Sequence, residues 1–170
     1  LHHARKNAPK TERVLHLDEN RYASCVYEVE KLPPSLLDRD EIFPLLGAFI
    51  GSTTGTQVPV INGLKANQPE HRLRALGAAA ASTGSVGIFH AVGSTPEAPT
   101  LTAALGEREP LNSISVSVED LQEMRSKLTS ATGTDLGTVA LGTPHYSIEE
   151  FSILRSLVSG KKKHPDIDFY

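Results

Sequence analysis

The sequence predicts an α/β fold in which strands and helices alternate and the sheet is largely parallel. From residue 58 onward, short apolar runs alternate with longer segments of helical periodicity, and the connections between them are short. The 170 residues, 39% of them hydrophobic, also supply enough apolar surface for a core. Residues 1–170 are therefore expected to form a single α/β piece, with the polar and basic residues 1–13 as a loop or a cut end.

The first predicted elements are a strand and a helix separated by two prolines. Residues 22–30 alternate in part between apolar and polar, which is typical of a strand, and Pro33 and Pro34 end it. An apolar periodicity follows Asp40 and predicts a helix up to residue 50. Residues 51–56 combine glycines with hydroxyl side chains, so we expect them to end that helix in a flexible polar loop.

A regular alternation occupies the rest of the chain. Apolar runs predict strands at residues 58–61, 85–92, 113–118, 136–141 and 167–170. Helical periodicity predicts helices at residues 69–82, from residue 118 onward, and at 148–158, with a loop rich in Gly, Ser and Pro at 93–99. Because the pattern stops inside a strand at Tyr170, we expect the chain to be a piece of a longer protein.

Composition excludes several classes of function. A net charge of −3, no Trp and 5% aromatic residues give no basis for nucleic-acid binding. No apolar run approaches the roughly 20 residues that a membrane-spanning helix needs. The single cysteine, Cys25, excludes an internal disulfide framework and a self-contained cysteine-rich metal site. A cytoplasmic location is the expectation that follows from this cysteine usage.

The sharpest local pattern is the turn that precedes the last helix. An apolar run ends in Gly-Thr-Pro-His, so Thr143 and His145 are expected at the carboxyl end of a strand, where ligands bind in open α/β sheets. Ser147 and Glu150 have the spacing of a capping box, and the free N–H groups of a helix N-terminus suit a carboxylate or phosphate. The alternative is a well-capped helix with an incidental histidine.

A second pattern places His90 inside an otherwise apolar strand. A buried histidine needs a hydrogen-bond partner, and burial can shift its pKa enough for acid–base work. Gly93, Ser94 and Thr95 follow at the end of the strand and offer donors for an anionic ligand. The alternative is a core histidine that is satisfied by a neighbour.

Two weaker patterns complete the candidates. Arg21 ends a run of mixed charge at residues 16–21, which is either a solvated turn or a source of a bidentate guanidinium for a substrate carboxylate. Thr53 lies in the loop predicted at residues 51–56, which lacks the ending of a phosphate-binding P-loop and is either plain or close to an active site.

Taken in order, these segments resemble the large-subunit catalytic domain of the aconitase X family, which includes cis-3-hydroxy-L-proline dehydratases and archaeal phosphomevalonate dehydratases. The resemblance rests on five motifs in the expected order, from about residue 8 to the end of the chain. They are HLDENR at 16–21, LGAFIGSTTGTQVPVINGL at 46–64, FHAVGSTPEAP at 89–99, LGTPHYSIEEF at 141–151 and HPDIDFY at 164–170.

The resemblance implies a fragment of a hydro-lyase that removes water from a small hydroxy acid, with iron or an iron–sulfur centre as Lewis acid. It also implies a small swivelling partner domain or subunit. Because the upstream cysteine-bearing part is absent, most metal ligands are expected outside this chain, and the chain alone is expected to be inactive. By motif position, the resemblance implies catalytic residues at His145, His90 and Ser147, and substrate-binding residues at Arg21, Thr143, Ser94 and Thr53.

The substrate follows from the same resemblance. Archaeal phosphomevalonate enzymes tend to have Cys where this chain has Thr143, which favours cis-3-hydroxy-L-proline and a pyrroline carboxylate product. Phosphomevalonate dehydration and a non-catalytic α/β scaffold module are the alternatives. A phosphorylated substrate would favour extra basic residues near Ser147, and none follows until Arg155.

Overall fold

The structure, a computed structural model, describes residues 17–142 and 145–170. Two compact units divide the chain, the first ending at Ser126 and the second beginning at Lys127. The single α/β piece expected over 1–170 stays a prediction, and the loop or cut end expected at 1–13 lies outside the described residues. No helix in the described ranges is long and apolar enough to cross a membrane.

A four-stranded parallel sheet forms the centre of the first unit. Its strands lie in the order β3-β2-β1-β4 and are β1 (Cys25–Glu28), β2 (Pro59–Asn62), β3 (His90–Ala91) and β4 (Asn112–Ser115). Each neighbouring pair is parallel, which confirms the predicted α/β class. Strand β1 lies inside the sheet, because β2 and β3 are added on one side of it and β4 on the other.

Five helices connect and cover these strands. They are α1 (Pro34–Leu37), α2 (Ile42–Thr54), α3 (Glu70–Thr83), α4 (Leu101–Leu105) and α5 (Val118–Leu128). A three-residue 3₁₀ helix, Asp18–Asn20, precedes β1. The helices predicted after Asp40, at 69–82 and from residue 118 are confirmed.

The end of α2 corrects the predicted loop at residues 51–56. The helix continues to Thr54 and stops at Gly55, whose φ of +65° breaks the helical backbone. Hydroxyl groups explain the extension, because Thr53 donates to the carbonyl oxygen of Phe49 at 2.8 Å and Thr54 to that of Ile50 at 2.6 Å. These bonds to preceding carbonyls are compatible with a continuing helix.

The strand predicted at residues 85–92 is also shorter than expected, because only His90 and Ala91 pair with β2. The next pair toward the amino end would match Phe89 with Pro59, whose nitrogen carries no hydrogen for the ladder. Phe89 instead packs its ring against Gly77 of α3.

Helices α2 and α3 pack with their backbones unusually close. A Cβ added at Gly47 would lie 2.2 Å from the carbonyl oxygen of Leu76, and one at Gly51 would lie 2.5 Å from that of Ala80. The hydroxyl of Thr83 donates to the carbonyl oxygen of Ala48 at 3.1 Å and ties the same two helices together. Glycine at both positions is therefore a packing requirement.

Each face of the sheet has its own apolar core. Cys25 and Tyr27 of β1 face the larger cluster, which includes residues of α2, α3 and α5. Val26 faces the smaller cluster, which contains residues of α4 and the loop before it. This alternation is the period of two expected of a strand covered on both sides.

Helix α4 lies in a region for which no helix was predicted. Its five residues are too few to show a helical periodicity, but its ends have recognisable chemistry. The hydroxyl of Thr100 accepts from the backbone N–H of Ala103 at 3.1 Å, and Gly106 ends the helix with a φ of +62°.

The second unit has a strand–helix–strand arrangement. Strand β5 (Thr138–Val139) pairs in parallel with β6 (Asp168–Phe169), and α6 (Ile148–Val158) connects them. The strands predicted at 136–141 and 167–170 are confirmed at their centres, and the last helix has the predicted bounds.

Candidate active site

His90 is buried on the face of the first unit's sheet that carries the smaller apolar cluster. His90 is in register with Val60, which is in register with Val26, and residues paired in this way point to the same side of a sheet. The side chain is 1% exposed, and its Nε2 donates a hydrogen bond to the backbone carbonyl oxygen of Arg21 at 2.7 Å. Within the described part of the chain, Nδ1 of the same ring has no hydrogen-bond partner.

Arg21 and Glu97 form an ion pair beside this histidine. The guanidinium of Arg21 contacts Oε1 of Glu97, and both side chains are partly exposed. Glu97 reaches this position because the loop after β3 folds back, with the N–H of Gly93 donating to the carbonyl oxygen of Ala98 at 2.8 Å. Gly93 has a φ of +71°, which favours glycine at this turn.

A cavity of about 270 Å³ lies where these groups meet. Its lining consists of Asp18, Arg21, Tyr22, His90, Glu97 and Ala104. The cavity thus combines a guanidinium, two carboxylates and an imidazole. Because Arg21 precedes β1, it lies toward the amino end of that strand and not at the carboxyl ends of the strands, where ligands are expected in an open α/β sheet.

Burial controls the charge of His90. It lowers the pKa of the imidazole below its ordinary value of 6.5. The hydrogen bond to the carbonyl oxygen of Arg21 raises this pKa and the guanidinium charge lowers it, each by less than the burial does. The ring is therefore neutral at pH 7 and can accept a proton or a hydrogen bond.

Ser94 and Thr53 lie away from this cavity and have protein partners. Ser94 follows β3, and its hydroxyl accepts from the backbone N–H of Gln68 at 3.0 Å. The hydroxyl of Thr53 lies 2.8 Å from that of Tyr27, whose ring is buried under α2. Their role in substrate binding stays a prediction.

In the second unit, the capping box before α6 is present as predicted. The N–H of Glu150 donates to Oγ of Ser147 at 3.2 Å, and the N–H of Ser147 donates to Oε2 of Glu150 at 2.7 Å. His145 is exposed and lines a mainly apolar cavity of about 400 Å³, together with Leu141, Gly142, Tyr146, Phe151, Leu154, Phe169 and Tyr170. Thr143 lies outside the described residues.

The residue pattern does not indicate Glu97, Asp18 or Tyr22 as parts of a site. Glu97 lies in a loop rich in Gly, Ser and Pro, where an acidic residue is usually solvated, and its partner Arg21 is 76 residues away. Only the fold of the loop after β3 brings the two together. The run of mixed charge at residues 16–21 indicated Arg21 but not which acid it would meet.

A comparison with known families identifies the chain. The model of the aconitase X second domain matches residues 23–126, more than half of the sequence. The chain belongs to the aconitase X family. The matched range contains His90, Ser94, Glu97 and Thr53, and it ends where the first compact unit ends.

Relatives within the aconitase X family are dehydratases. The chain is 42% identical over 153 residues to cis-3-hydroxy-L-proline dehydratase of Pseudomonas aeruginosa, and 39% identical over 155 residues to that of Hypocrea jecorina. These alignments cover 89% and 90% of this chain and 26% of each relative. The chain thus spans about a quarter of the length of these two curated relatives.

A second group of relatives and a solved structure agree on the family. The chain is 32% identical over 149 residues to the phosphomevalonate dehydratase large subunit of Thermococcus kodakarensis, covering 88% of this chain and 36% of that subunit. The crystal structure of Thermococcus kodakaraensis aconitase X in its holo-form matches with a TM-score of 0.70 at 32% identity, covering 85% of this chain and 34% of that one.

The described residues do not fit an iron site of their own. Among them, no group of three or more His, Cys, Asp or Glu side chains could hold a metal ion. Cys25 is buried, and burial raises the pKa of its thiol, which disfavours the thiolate that a metal requires. The expectation that most iron ligands of an aconitase X enzyme lie outside this chain stays a prediction.

Proposed function

We propose that the protein carrying this chain is a hydro-lyase that dehydrates cis-3-hydroxy-L-proline to a pyrroline carboxylate. The observation that carries the proposal is the identity of 42% and 39% to two enzymes of that name, each aligned over about nine-tenths of the chain. The identity to phosphomevalonate dehydratase large subunits is lower, between 28% and 34%.

The cavity of the first unit supports this chemistry. Loss of water from a hydroxy acid requires a group that binds the carboxylate and a group that accepts a proton. Arg21 can bind a carboxylate through two parallel hydrogen bonds, and a neutral His90 can accept a proton. The pair that Arg21 forms with Glu97 is partly exposed, and such pairs contribute little free energy, so a substrate carboxylate can replace Glu97.

The remaining predicted site residues belong to the same proposal. His145 is accessible on the turn before α6, and the helix N-terminus there offers N–H groups to an anion. Ser147 already caps the helix with its hydroxyl, so its contribution is to hold the turn in place. Thr143, Ser94 and Thr53 are proposed as further substrate contacts by motif position.

The proposal includes an iron or iron–sulfur cofactor, a small partner domain or subunit, and a cytoplasmic setting. Iron would supply a Lewis acid for the leaving hydroxyl. A partner is suggested by the relatives that are named large subunits.

Phosphomevalonate dehydration is the second candidate. It is favoured by four relatives of that name. The two candidates differ in the charge that the site must accept, because phosphomevalonate adds a phosphate to the carboxylate.

The test is turnover by the full-length protein with its partner, kept anaerobic, with cis-3-hydroxy-L-proline and phosphomevalonate compared under the same conditions. Arg21→Lys should raise KM for the hydroxy acid, because one ammonium replaces a planar two-point donor. His145→Ala should abolish turnover if that turn is part of the site. Arg39→Lys is the matched control, since Arg39 forms an exposed pair with Glu41 outside the cavity.

Each outcome separates the candidates. Turnover of the hydroxyproline supports the proposal, and turnover of phosphomevalonate alone replaces it with the second candidate. A protein that turns over neither compound and binds no iron would support the scaffold alternative.

A further inference from the structure

One ring nitrogen of His90 is buried without a partner in the described part of the chain. We propose that this atom, Nδ1, contacts the ligand of the cavity that Arg21, Glu97 and His90 line, by accepting a hydrogen bond from a hydroxyl or ammonium group of that ligand. In the same proposal, the backbone carbonyl of Arg21 is a positioning group that keeps Nδ1 free of hydrogen. The inference rests on the proposed function for the identity of the ligand, but not for the state of the ring.

The state of the ring follows from the partner of Nε2. A carbonyl oxygen can only accept a hydrogen bond, so Nε2, at 2.7 Å from the carbonyl oxygen of Arg21, must carry the hydrogen. A neutral imidazole has one hydrogen, which leaves Nδ1 as an acceptor with an unshared lone pair.

The surroundings make this lone pair unusual for a structural residue. His90 is 1% exposed and shares its side of the sheet with Val26 and Val60, where an apolar side chain would fill the space without an unpaired polar atom. A buried acceptor without a donor is costly, and such atoms are rare in native proteins. A ligand donor at Nδ1 accounts for a histidine at this position.

The other groups of the cavity limit the class of ligand. Arg21 provides donors for a carboxylate, whereas Asp18 and Glu97 provide acceptors. A simple carboxylate such as acetate has no donor for Nδ1 when ionised. The ligand that satisfies the whole lining therefore carries a carboxylate together with a hydroxyl or an ammonium group.

The first test measures the ring directly. The full-length protein is labelled with ¹⁵N-histidine, and the signals of His90 are assigned by their loss in His90→Gln. We expect Nε2 to be protonated and Nδ1 to be bare in the free protein, and the Nδ1 resonance to move toward that of a hydrogen-bonded nitrogen on saturation with cis-3-hydroxy-L-proline. Sodium acetate should leave it in place.

The second test uses two variants, each of which keeps one of the two hydrogen-bonding functions of the imidazole. Glutamine at position 90 can still donate to the carbonyl of Arg21 but has no acceptor where Nδ1 was, whereas asparagine can place its oxygen there. Calorimetry should show that His90→Gln binds the hydroxyproline about tenfold more weakly, the effect of one lost hydrogen bond. His90→Asn should stay within about twofold of the original affinity. His71→Gln, on α3 and outside the cavity, is the control.

Several results would overturn the inference. A hydrogen on Nδ1 in the free protein would contradict the assigned state of the ring, whatever the activity. Equal affinity of His90→Gln and the original protein, or equal loss in both variants, would make His90 a structural residue while leaving the dehydratase proposal intact. Failure to turn over or bind the hydroxyproline, with Nδ1 bare, would instead refute the proposed substrate and, with it, the proposed ligand contact.

Discussion

Replacing Gly47 with alanine is the sharpest perturbation of the fold that the structure suggests. The added Cβ would lie 2.2 Å from the carbonyl oxygen of Leu76 and 2.9 Å from its carbonyl carbon, so α2 and α3 must move apart. Overpacking costs about 1–3 kcal/mol, and a clash at this distance with backbone, which cannot swing aside, belongs to the upper part of that range, about 2–3 kcal/mol. Alanine gains about 1 kcal/mol of helix propensity over glycine, which offsets part of that cost. We expect Gly47→Ala to lower the free energy of unfolding by about 1–2 kcal/mol.

Urea unfolding followed by far-ultraviolet circular dichroism measures this difference. With a slope of about 2 kcal/mol/M, the midpoint should fall by roughly 0.5–1 M while the slope stays constant. Ser52→Ala, on the exposed side of the same helix, is the control and should leave the midpoint unchanged or raise it. A midpoint for Gly47→Ala that equals or exceeds the original would refute the close approach of the two helices.

Three further predictions concern single side chains. Tyr27→Phe removes a buried hydroxyl that lies 2.8 and 2.7 Å from two threonine hydroxyls, and should lower the free energy of unfolding by about 1 kcal/mol in the same urea assay. The pKa of His90 is lowered on folding, so near and below pH 6.5 the folded state binds fewer protons than the unfolded state. The free energy of unfolding should therefore be highest above pH 6.5 and fall as the pH drops below it. When the melting temperature is measured as a function of pH, His90→Gln should remove the decrease that His90 causes below pH 6.5. Ser147→Ala should cost about 1 kcal/mol of local stability in α6, seen as faster amide exchange, whereas Ser152→Ala, in the middle of that helix, should not.

Elements whose chemistry is local could be predicted from the sequence. The capping box at Ser147 and the α6 helix that follows it appear at the predicted positions, because cap spacing and an apolar stripe are properties of neighbouring residues. The same is true of the centre of β1. The predicted end of α2 is wrong because glycine and hydroxyl residues are typical of a loop, whereas the hydroxyls of Thr53 and Thr54 bond to the preceding turn of the helix.

The candidate site was predictable only in part. The pattern around His90 indicated a buried histidine, and the run of mixed charge at residues 16–21 indicated Arg21. The contact between them depends on a backbone carbonyl, which no residue type reveals. Glu97 was missed for a related reason, because an ion pair between residues 76 positions apart depends on the packing of the loop after β3. Local patterns therefore identify chemistry-bearing residues, and the fold decides which of them meet.

The origin of the cavity walls has a consequence for how this unit folds and resists unfolding. Asp18 and Arg21 precede β1, His90 lies on β3, and Glu97 follows β3, so the cavity exists only when β2 holds the two other strands in register. Contacts of such long sequence separation form slowly, because large loops must close first. A ligand that contacts these residues binds only the folded sheet and therefore stabilises it. At one hundred times its dissociation constant, it would add about 2.7 kcal/mol to the free energy of unfolding and protect the three strands together from proteolysis.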